Sequence, residues 1–326
     1  MRKSVFGLLK PIAVCVALSS SLQVAQAQTW PSKPVKLIVS YPPGGTVYAV
    51  ARVVSNKLSG RLGQPVVVEN RAGAGGAIGG QVVAKSQPDG YTILVDASNH
   101  AQNPALRAKM PFDTLKDLAP VSLLVKVPTV LVVNPATPYK SVKDLIDAAK
   151  AKPDSINFAS SGNGSAQHLA GELFCSMAAV KMAHIAYKGG GPALTDVMGG
   201  QVPVFFASLA SSMSHIQGDK LRPLAVTGTT RSSLFPQLPT VAESGLPGYE
   251  VYEWNAVFVP TGTPAPIVDR LTKELAAVLQ EPDVKSRLEA LGAEVIGSSP
   301  AELDIFRRSE IDRWSKLAKD NNIQMD

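Results

Sequence analysis

Cysteine is scarce in this chain of 326 residues, which contains only two. Cys15 lies in an N-terminal segment that has the pattern of an export leader, so Cys175 is expected to be the single cysteine of the mature protein. One cysteine cannot form an intrachain disulfide. Cys175 stands on an apolar helix face in HLAGELFCSMA, which favours a buried, inert thiol over a nucleophile.

Long apolar runs are also missing beyond the N-terminus, since no later stretch approaches the ~18 uninterrupted apolar residues that span a bilayer. The N-terminus itself combines a basic start, an apolar stretch at about residues 11–17 and the small-residue motif Ala-Gln-Ala at 25–27. This pattern predicts a signal peptide over 1–27, with cleavage after Ala27 and a mature chain that starts at Gln28. We therefore expect a soluble, exported protein located in the periplasm.

No cluster of positive charge is present. The leader holds three basic and no acidic residues, so its removal lowers the formal net charge from +6 to +3. The remaining basic residues are scattered, without a Lys/Arg run or an aromatic-basic motif. This distribution argues against nucleic acid as a partner.

The motifs of several enzyme classes are absent. GAGGAIGG carries Ile78 where a dinucleotide fingerprint needs its third glycine, and no Walker-type G-K-[S/T] occurs. GNGSA around Ser165 is not a G-x-S-x-G nucleophile elbow. The four histidines neither pair at i, i+4 nor have a cysteine partner, and no paired carboxylates stand out. The sequence favours a binding protein over an enzyme, and we expect no cofactor and no metal.

What the chain does contain is a recurring unit of strand, glycine-rich turn and helix. In its first copy the run at 35–40 reads as a buried strand, and YPPGGTVYAVARVV turns the chain into a helix. Thr46 is predicted to cap that helix. Free N–H groups at a helix start attract anions, and glycines let a ligand approach the backbone. Alternatively, Gly44 and Gly45 only turn the chain.

Alternation of strands and helices over about 300 residues predicts an α/β fold with mostly parallel sheets and two lobes. Two long β-rich runs, at 121–134 and 249–260, are predicted to cross between the lobes as hinge strands. The expected division is 28–127 plus 254–326 for lobe 1 and 128–253 for lobe 2. In parallel sheets a ligand lies beyond the carboxyl ends of the strands, where the glycine-rich turns fall.

The chain also resembles a known family along essentially its whole mature length. The resemblance is carried, in order, by YPPGGTVYAVARVV, LGQPVVVENRAGAGGAIGGQVVAKSQPDGYTIL, FASSGNGSAQHLAGELF, AYKGGGPALTDVMGGQV, LRPLAVTGTTRSSLFPQLPTVAESGLPGYE and PTGTPAPIVDRL. These segments are similar to the Bug or TctC family, the extracytoplasmic solute-binding proteins of tripartite tricarboxylate transporters.

The resemblance implies a two-lobed periplasmic binding fold, of the Venus flytrap or type II-like kind, that closes on a small carboxylate. Family members take up citrate, acidic amino acids, nicotinate and aromatic dicarboxylates such as terephthalate. The implied partners are membrane subunits of such a transporter, and the protein is expected to be a monomer. Two other functions remain open: an orphan carboxylate-binding protein that signals to a membrane sensor and, more remotely, a hydrolase.

The resemblance further implies that main-chain N–H groups and hydroxyls of two turns, 43–46 and 160–165, hold the carboxylate. His168 either contacts the ligand or packs locally on its helix. The full set of expected ligand-binding residues is Tyr41, Pro43, Gly44, Gly45, Thr46, Tyr48, Ser160, Ser161, Gly162, Asn163, Gly164, Ser165, His168, Tyr187 and Ala207.

Two of these residues depart from the family pattern. Tyr48 and Ala207 stand where aspartate is usual, so two acceptors suited to a ligand amino group are lost. We therefore expect aromatic or aliphatic mono- or dicarboxylates to bind better than amino acids, with Tyr48 stacking on a ring or donating its phenol to a ligand oxygen. Alternatively, Tyr48 faces solvent and has no role.

Overall fold

The computed structural model describes residues 30–43, 45–321 and 323, so the predicted signal peptide at 1–27 lies outside the described residues. The strands are β1 Val35–Val39, β2 Val66–Asn70, β3 Thr92–Ala97, β4 Leu118–Val133, β5 Asn157–Ser160, β6 Ala183–Ala186, β7 Val204–Ser208, β8 Arg222–Val226, β9 Tyr252–Pro260 and β10 Glu294–Val295. The helices are α1 Thr46–Leu62, α2 Ala77–Ala84, α3 Asn99–Leu106, α4 Val142–Ala151, α5 Ala166–Ala178, α6 Gly190–Met198, α7 Leu209–Gln217, α8 Ala265–Leu279, α9 Pro282–Glu289 and α10 Pro300–Asp320.

The described strands form one hydrogen-bonded sheet with the order β2-β1-β3-β9-β4-β7-β5-β6. Strands β8 and β10 lie off this path and each pair with β4. Strand β4 joins a first half, which holds β1, β2, β3, β9 and β10, to a second half, which holds β5 to β8. The fold is mixed α/β, as the sequence predicted, with the described strands in two halves joined by β4.

The expectation of mostly parallel sheets is wrong. Among the described strands, four pairs are parallel and five are antiparallel. The parallel pairs lie at the two outer ends, where strands are joined through helices. At the centre, β9 runs against both β3 and β4, and β4 runs against β7 and β8, because the two long runs traverse the molecule in opposite directions.

Strand β4 changes its partner at Pro128. Up to Pro128 it pairs with β9, and from Thr129 onwards it pairs with β7 and β8. The proline has no N–H to donate, which suits a position where one ladder ends. The partner changes between Pro128 and Thr129, one residue beyond the predicted lobe boundary at 127 and 128, and that boundary stays a prediction.

The second crossing segment is shorter than predicted, since β9 begins at Tyr252. The chain before it is tied to β4 by Thr227, whose hydroxyl donates to Val251 O at 2.7 Å and accepts from Thr129 N at 2.8 Å. These buried contacts hold the two crossing segments side by side. Division of the lobes at residues 253 and 254 stays a prediction.

The glycine-rich turns differ from expectation in detail. Helix α1 begins at Thr46 itself, and its N-cap is Gly45, an extended residue with φ −87° and no side-chain oxygen. Thr46 is therefore not the cap, and the N-cap residue Gly45 makes no side-chain hydrogen bond to the start of α1. The sequence argument did not predict α3 or α7.

Buried Cys175 agrees with the expectation of an inert thiol. Its side chain lies in the core of the second half, and burial raises the pKa of the thiol to about 12. Within the part of the chain that the structure describes, no helix is both long and apolar enough to cross a membrane.

Candidate functional site

A cleft of about 760 Å³ opens at the carboxyl ends of strands from both halves of the molecule. From the first half its lining includes the turn after β1 and the segment after β3. From the second half it includes the segments after β5, β6 and β7. Its described lining residues are Tyr41, Pro42, Gly45, Thr46, Val47, Ala49, Gly75, Ala97, Ser98, Asn99, Ser161, Gly162, Asn163, Ser165, Ala166, Gln167, Gly189, Gly190, Gly191, Leu194, Phe205, Ser208, Ala210, Ser211, Glu253 and Leu291.

Five helices, α1, α3, α5, α6 and α7, begin at this cleft. Only α5 has a side-chain cap among them, supplied by Ser165. The first N–H groups of a helix have no intrahelical acceptor, and the helix dipole adds partial positive charge at that end. The cleft therefore offers several groups of backbone donors to an anion.

The turn before α5 is held in a specific shape. Gly162 N donates to Ser160 Oγ at 3.1 Å, and Gly164 N donates to His168 Nδ1 at 3.1 Å. Ser165 Oγ accepts from His168 N at 3.2 Å, which leaves its own hydroxyl proton for another acceptor. Ala166 and Gln167, the first two residues of α5, line the same cleft, and N–H groups at these helix positions have no intrahelical partner.

Two stacked histidines pack against the turn before α5. The rings of His168 and His184 are 3.8 Å apart, and His184 Nε2 lies 2.6 Å from Ser160 Oγ. Burial, reinforced by His168, lowers the pKa of His184 to about 3, so this ring is neutral at physiological pH. His168 thus packs on its own helix and shapes the loop, which was one of the two alternatives for this residue.

A hydrogen-bond chain crosses the cleft between the two halves. The Tyr41 phenol donates to Asn99 Oδ1 at 2.6 Å, and Asn99 Nδ2 donates to Gly164 O at 3.1 Å. Burial raises the pKa of Tyr41 well above its ordinary value, so the phenol stays a donor. These two hydrogen bonds link the turn after β1 to the turn before α5.

Seven of the expected ligand-binding residues line the cleft, and Gly44 lies outside the described residues. The seven are Tyr41, Gly45, Thr46, Ser161, Gly162, Asn163 and Ser165. The structure places the others outside the described lining: Pro43, Tyr48, Ser160, Gly164, His168, Tyr187 and Ala207.

Local contacts account for those positions. Ser160 is fully buried beneath the turn, and Gly164 uses its N–H and its carbonyl within the protein. The Tyr187 hydroxyl donates to Asp196 Oδ2 at 2.7 Å. Pro43 is exposed on the turn after β1.

Tyr48 and Ala207, which carried the selectivity argument, also lie away from the cleft. Tyr48 is partly buried against the core of the first half, and Ala207 is fully buried in β7 opposite Val130. A stacking role for Tyr48 and a lost contact at Ala207 stay predictions. Ligand contact stays a prediction for the remaining residues of the expected ligand-binding set as well.

The sequence argument missed several polar lining residues, among them Ser98, Asn99, Ser208, Ser211 and Glu253. Ser98 Oγ is buried and has no hydrogen-bond partner among the described residues, although it lies at the start of α3 in the cleft. An unpaired buried hydroxyl is costly unless a ligand or water satisfies it. No described lining residue is Lys, Arg, His or Asp, and Glu253 is the one charged side chain among them.

Glu253 has a raised pKa. Burial raises the pKa of its carboxyl to about 7. Because this value lies above the usual pKa near 4.5, the stability that the neutral carboxyl contributes is complete below the usual value and is lost as the pH rises through about 7.

Replacement of this carboxyl should change the pH dependence of stability in the unliganded protein. We expect Glu253→Gln to melt at a higher temperature than the wild type at pH 8, because an amide in the cleft does not ionise. The difference should shrink towards pH 4.5. Differential scanning calorimetry across this pH range measures it, and equal melting temperatures at pH 8 would contradict a raised pKa.

The described residues hold no group of three or more His, Cys, Asp or Glu side chains suited to a metal ion. Among the described lining residues there is also no histidine or aspartate that could act as base for one of the serines. The arrangement is suited to holding an anion through neutral donors.

Comparison with known proteins agrees with this geometry. Residues 50–323 match the model of the tripartite tricarboxylate transporter family receptor, TctC. The structure of Rpa4515 from R. palustris with adipate is 38% identical, covers 90% of this chain and 99% of its own, and has a TM-score of 0.82.

Two further solved structures are similar over nearly the same span. The periplasmic binding protein BugD is 35% identical, with 90% and 99% of the two chains covered and a TM-score of 0.79. MatC from Rhodopseudomonas palustris, with bound malate, is 31% identical, with 88% and 99% covered and a TM-score of 0.77.

Proposed function

The chain belongs to the tripartite tricarboxylate transporter receptor family, a family of periplasmic binding proteins rather than enzymes, and we propose that it captures a small carboxylate in the cleft between its two halves. In this proposal the protein works in the periplasm and delivers its ligand to the membrane subunits of a tripartite transporter. The observation that carries the proposal is the convergence of five helix N-termini on a cleft without a cationic side chain among its described lining residues.

Helix N-termini and hydroxyls bind a carboxylate without a counter-charge, because each N–H group contributes a fixed donor and the dipoles add favourable potential. Relatives support the same ligand class, since Rpa4515 is described with adipate and MatC with malate. The proposed ligand is an aliphatic or aromatic mono- or dicarboxylate. A cleft of about 760 Å³ holds a molecule of this size together with water.

A carboxylate screen on the purified mature protein tests this proposal. Adipate, malate, terephthalate, benzoate, nicotinate, citrate and aspartate are compared by thermal shift, followed by calorimetry on those that raise the melting temperature. A ligand that binds only the folded state stabilises it by RT ln(1 + [L]/Kd), so 100 Kd of ligand adds about 2.7 kcal/mol. Absence of any shift across the panel would count against carboxylate capture.

The hydroxyl of Ser165 is predicted to donate to the bound carboxylate. A hydrogen bond to a charged group contributes roughly 1.5–3 kcal/mol, so Ser165→Ala should weaken binding by about 10- to 100-fold in calorimetry. The substitution also removes the N-cap of α5. Ser141→Ala is the matched control, because Ser141 caps α4 in the same way and lies outside the cleft. Equal affinities for the two variants would remove Ser165 from the site.

A further inference from the structure

Glu253 occupies an unusual place in the cleft. It lies near the start of β9, opposite Val127 of β4, where the crossing segments meet. It is the one charged side chain among the described lining residues. Burial raises the pKa of its carboxyl, and no hydrogen-bond or charge partner contributes to that rise. The residue is partly buried. A carboxylate withdrawn from water without a partner is costly, so an unpaired one beside an anion site needs a physical explanation.

The charged and titratable groups around Glu253 do not neutralise it. The Tyr41 phenol is its neighbour in the first half, and that phenol also experiences Asp96 and Arg107. On β4, the Lys126 ammonium is 3.8 Å from Glu250 and lies over the rings of Tyr252 and Phe306.

A bound anion would act directly on this carboxyl. Two negative charges in one partly dry cleft repel each other, and the repulsion favours the protonated form of the weaker acid. Burial alone already raises the pKa of Glu253 to about 7, so the proton needed is available near neutral pH.

We propose that the Glu253 carboxyl takes up a proton from solvent when the cleft binds a carboxylate, and that the resulting neutral acid donates its O–H to the ligand. Capture is then linked to protonation, although the cleft lacks a cationic side chain among its described lining residues. This inference rests on the proposed function. It makes Glu253 a specificity residue. Only the protonated form of Glu253 favours anionic ligands over ligands that carry an ammonium group.

Calorimetry with adipate, or with the tightest other carboxylate of the panel above, tests the inference. Titrations at pH 7.5 in phosphate and in Tris, which differ in ionisation enthalpy, give the number of protons taken up. We expect between one half and one proton for the wild type. Affinity should fall about eightfold between pH 7.5 and 8.5, as linkage requires for a free pKa of about 7 that rises well above 8.5 on binding.

Glu253→Gln should take up no proton and bind with an affinity that does not change over this pH range. Glu294→Gln is the matched control: burial also raises the pKa of Glu294, whose carboxyl accepts from the Tyr252 hydroxyl, but it lies outside the cleft lining. This control should keep the proton uptake of the wild type.

Three results would overturn the inference and leave the proposed function standing. Binding without proton uptake in the wild type, or proton uptake that persists in Glu253→Gln, would show that Glu253 is not the linked group. Loss of binding in Glu253→Gln at every pH would show that the ionised carboxylate accepts from the ligand instead. If no carboxylate of the panel binds the wild type, the proposed function fails and this inference fails with it.

Discussion

Gly162→Ala is expected to weaken carboxylate binding by at least about 100-fold, which corresponds to about 2.7 kcal/mol. Gly162 has φ +131°, a conformation that residues with a Cβ rarely adopt. A Cβ at this position would also lie 3.3 Å from the carbonyl oxygen of Tyr187. The turn must therefore change its backbone to accept alanine.

That change reaches the binding groups directly. Gly162 N donates to Ser160 Oγ, and Gly162 O accepts from Ser165 N at 3.1 Å. Rotation of this peptide displaces Ser165 and the first N–H groups of α5 together. Calorimetry with the best carboxylate measures the loss.

Gly248→Ala serves as the control for backbone strain alone. Gly248 also has a positive φ, +84°, but no atom lies within 4 Å of the position that a Cβ would take there, and it is not part of the cleft. This variant should lose some stability and keep its affinity. If Gly162→Ala binds as tightly as Gly248→Ala, the turn before α5 does not hold the ligand.

The two glycine-rich turns were predictable because their signals are local. Glycines and hydroxyls that stand between an apolar run and a helical repeat indicate a helix start, and this places Gly45, Thr46 and Ser165 at the cleft. The same local reading misassigned the cap of α1, because Gly45 already provides the extended residue that precedes the helix.

Helix α3 and its cleft residue Asn99 gave no such signal. Its sequence, NHAQNPAL, has little apolar periodicity and contains Pro104. His100, Gln102 and Asn103 are nevertheless buried, because α10 and the sheet cover the helix. Tertiary packing outweighs local propensity here, and a single sequence does not reveal it.

Glu253 was missed for a related reason. In YEVYEWNAVFVP it reads as the polar member of an alternating strand, which normally faces solvent. Its position in the cleft depends on the antiparallel pairing of β9 with β4, two strands that are far apart in sequence. The selectivity argument from Tyr48 and Ala207 stays a prediction. The structure places both residues outside the described cleft lining, because a position in the family pattern does not fix where a side chain points.

The largest loss of stability is expected for Glu310→Leu. Glu310 is buried in α10, where its Oε2 accepts from Trp254 Nε1 at 3.2 Å and from Trp314 Nε1 at 3.1 Å. Its Oε1 lies 2.7 Å from Arg313 Nη2. One carboxylate thus connects the C-terminal helix to strand β9, at the residue next to Glu253.

Leucine has a similar volume but no acceptor, so both indole N–H groups would be buried without a partner and Arg313 would lose its ion pair. Breaking a buried charged network costs about 3–5 kcal/mol. For a chain of this size, that loss lowers Tm by roughly 6–20 °C in calorimetry. Glu310→Gln should lose less, because its amide oxygen still accepts from the indoles. Glu289→Leu is the surface control, since its half-exposed carboxyl is 3.9 Å from Lys285 and such pairs contribute little. If Glu310→Leu melts at the same temperature as Glu289→Leu, the two indoles find other acceptors, and this carboxylate does not anchor α10 to β9.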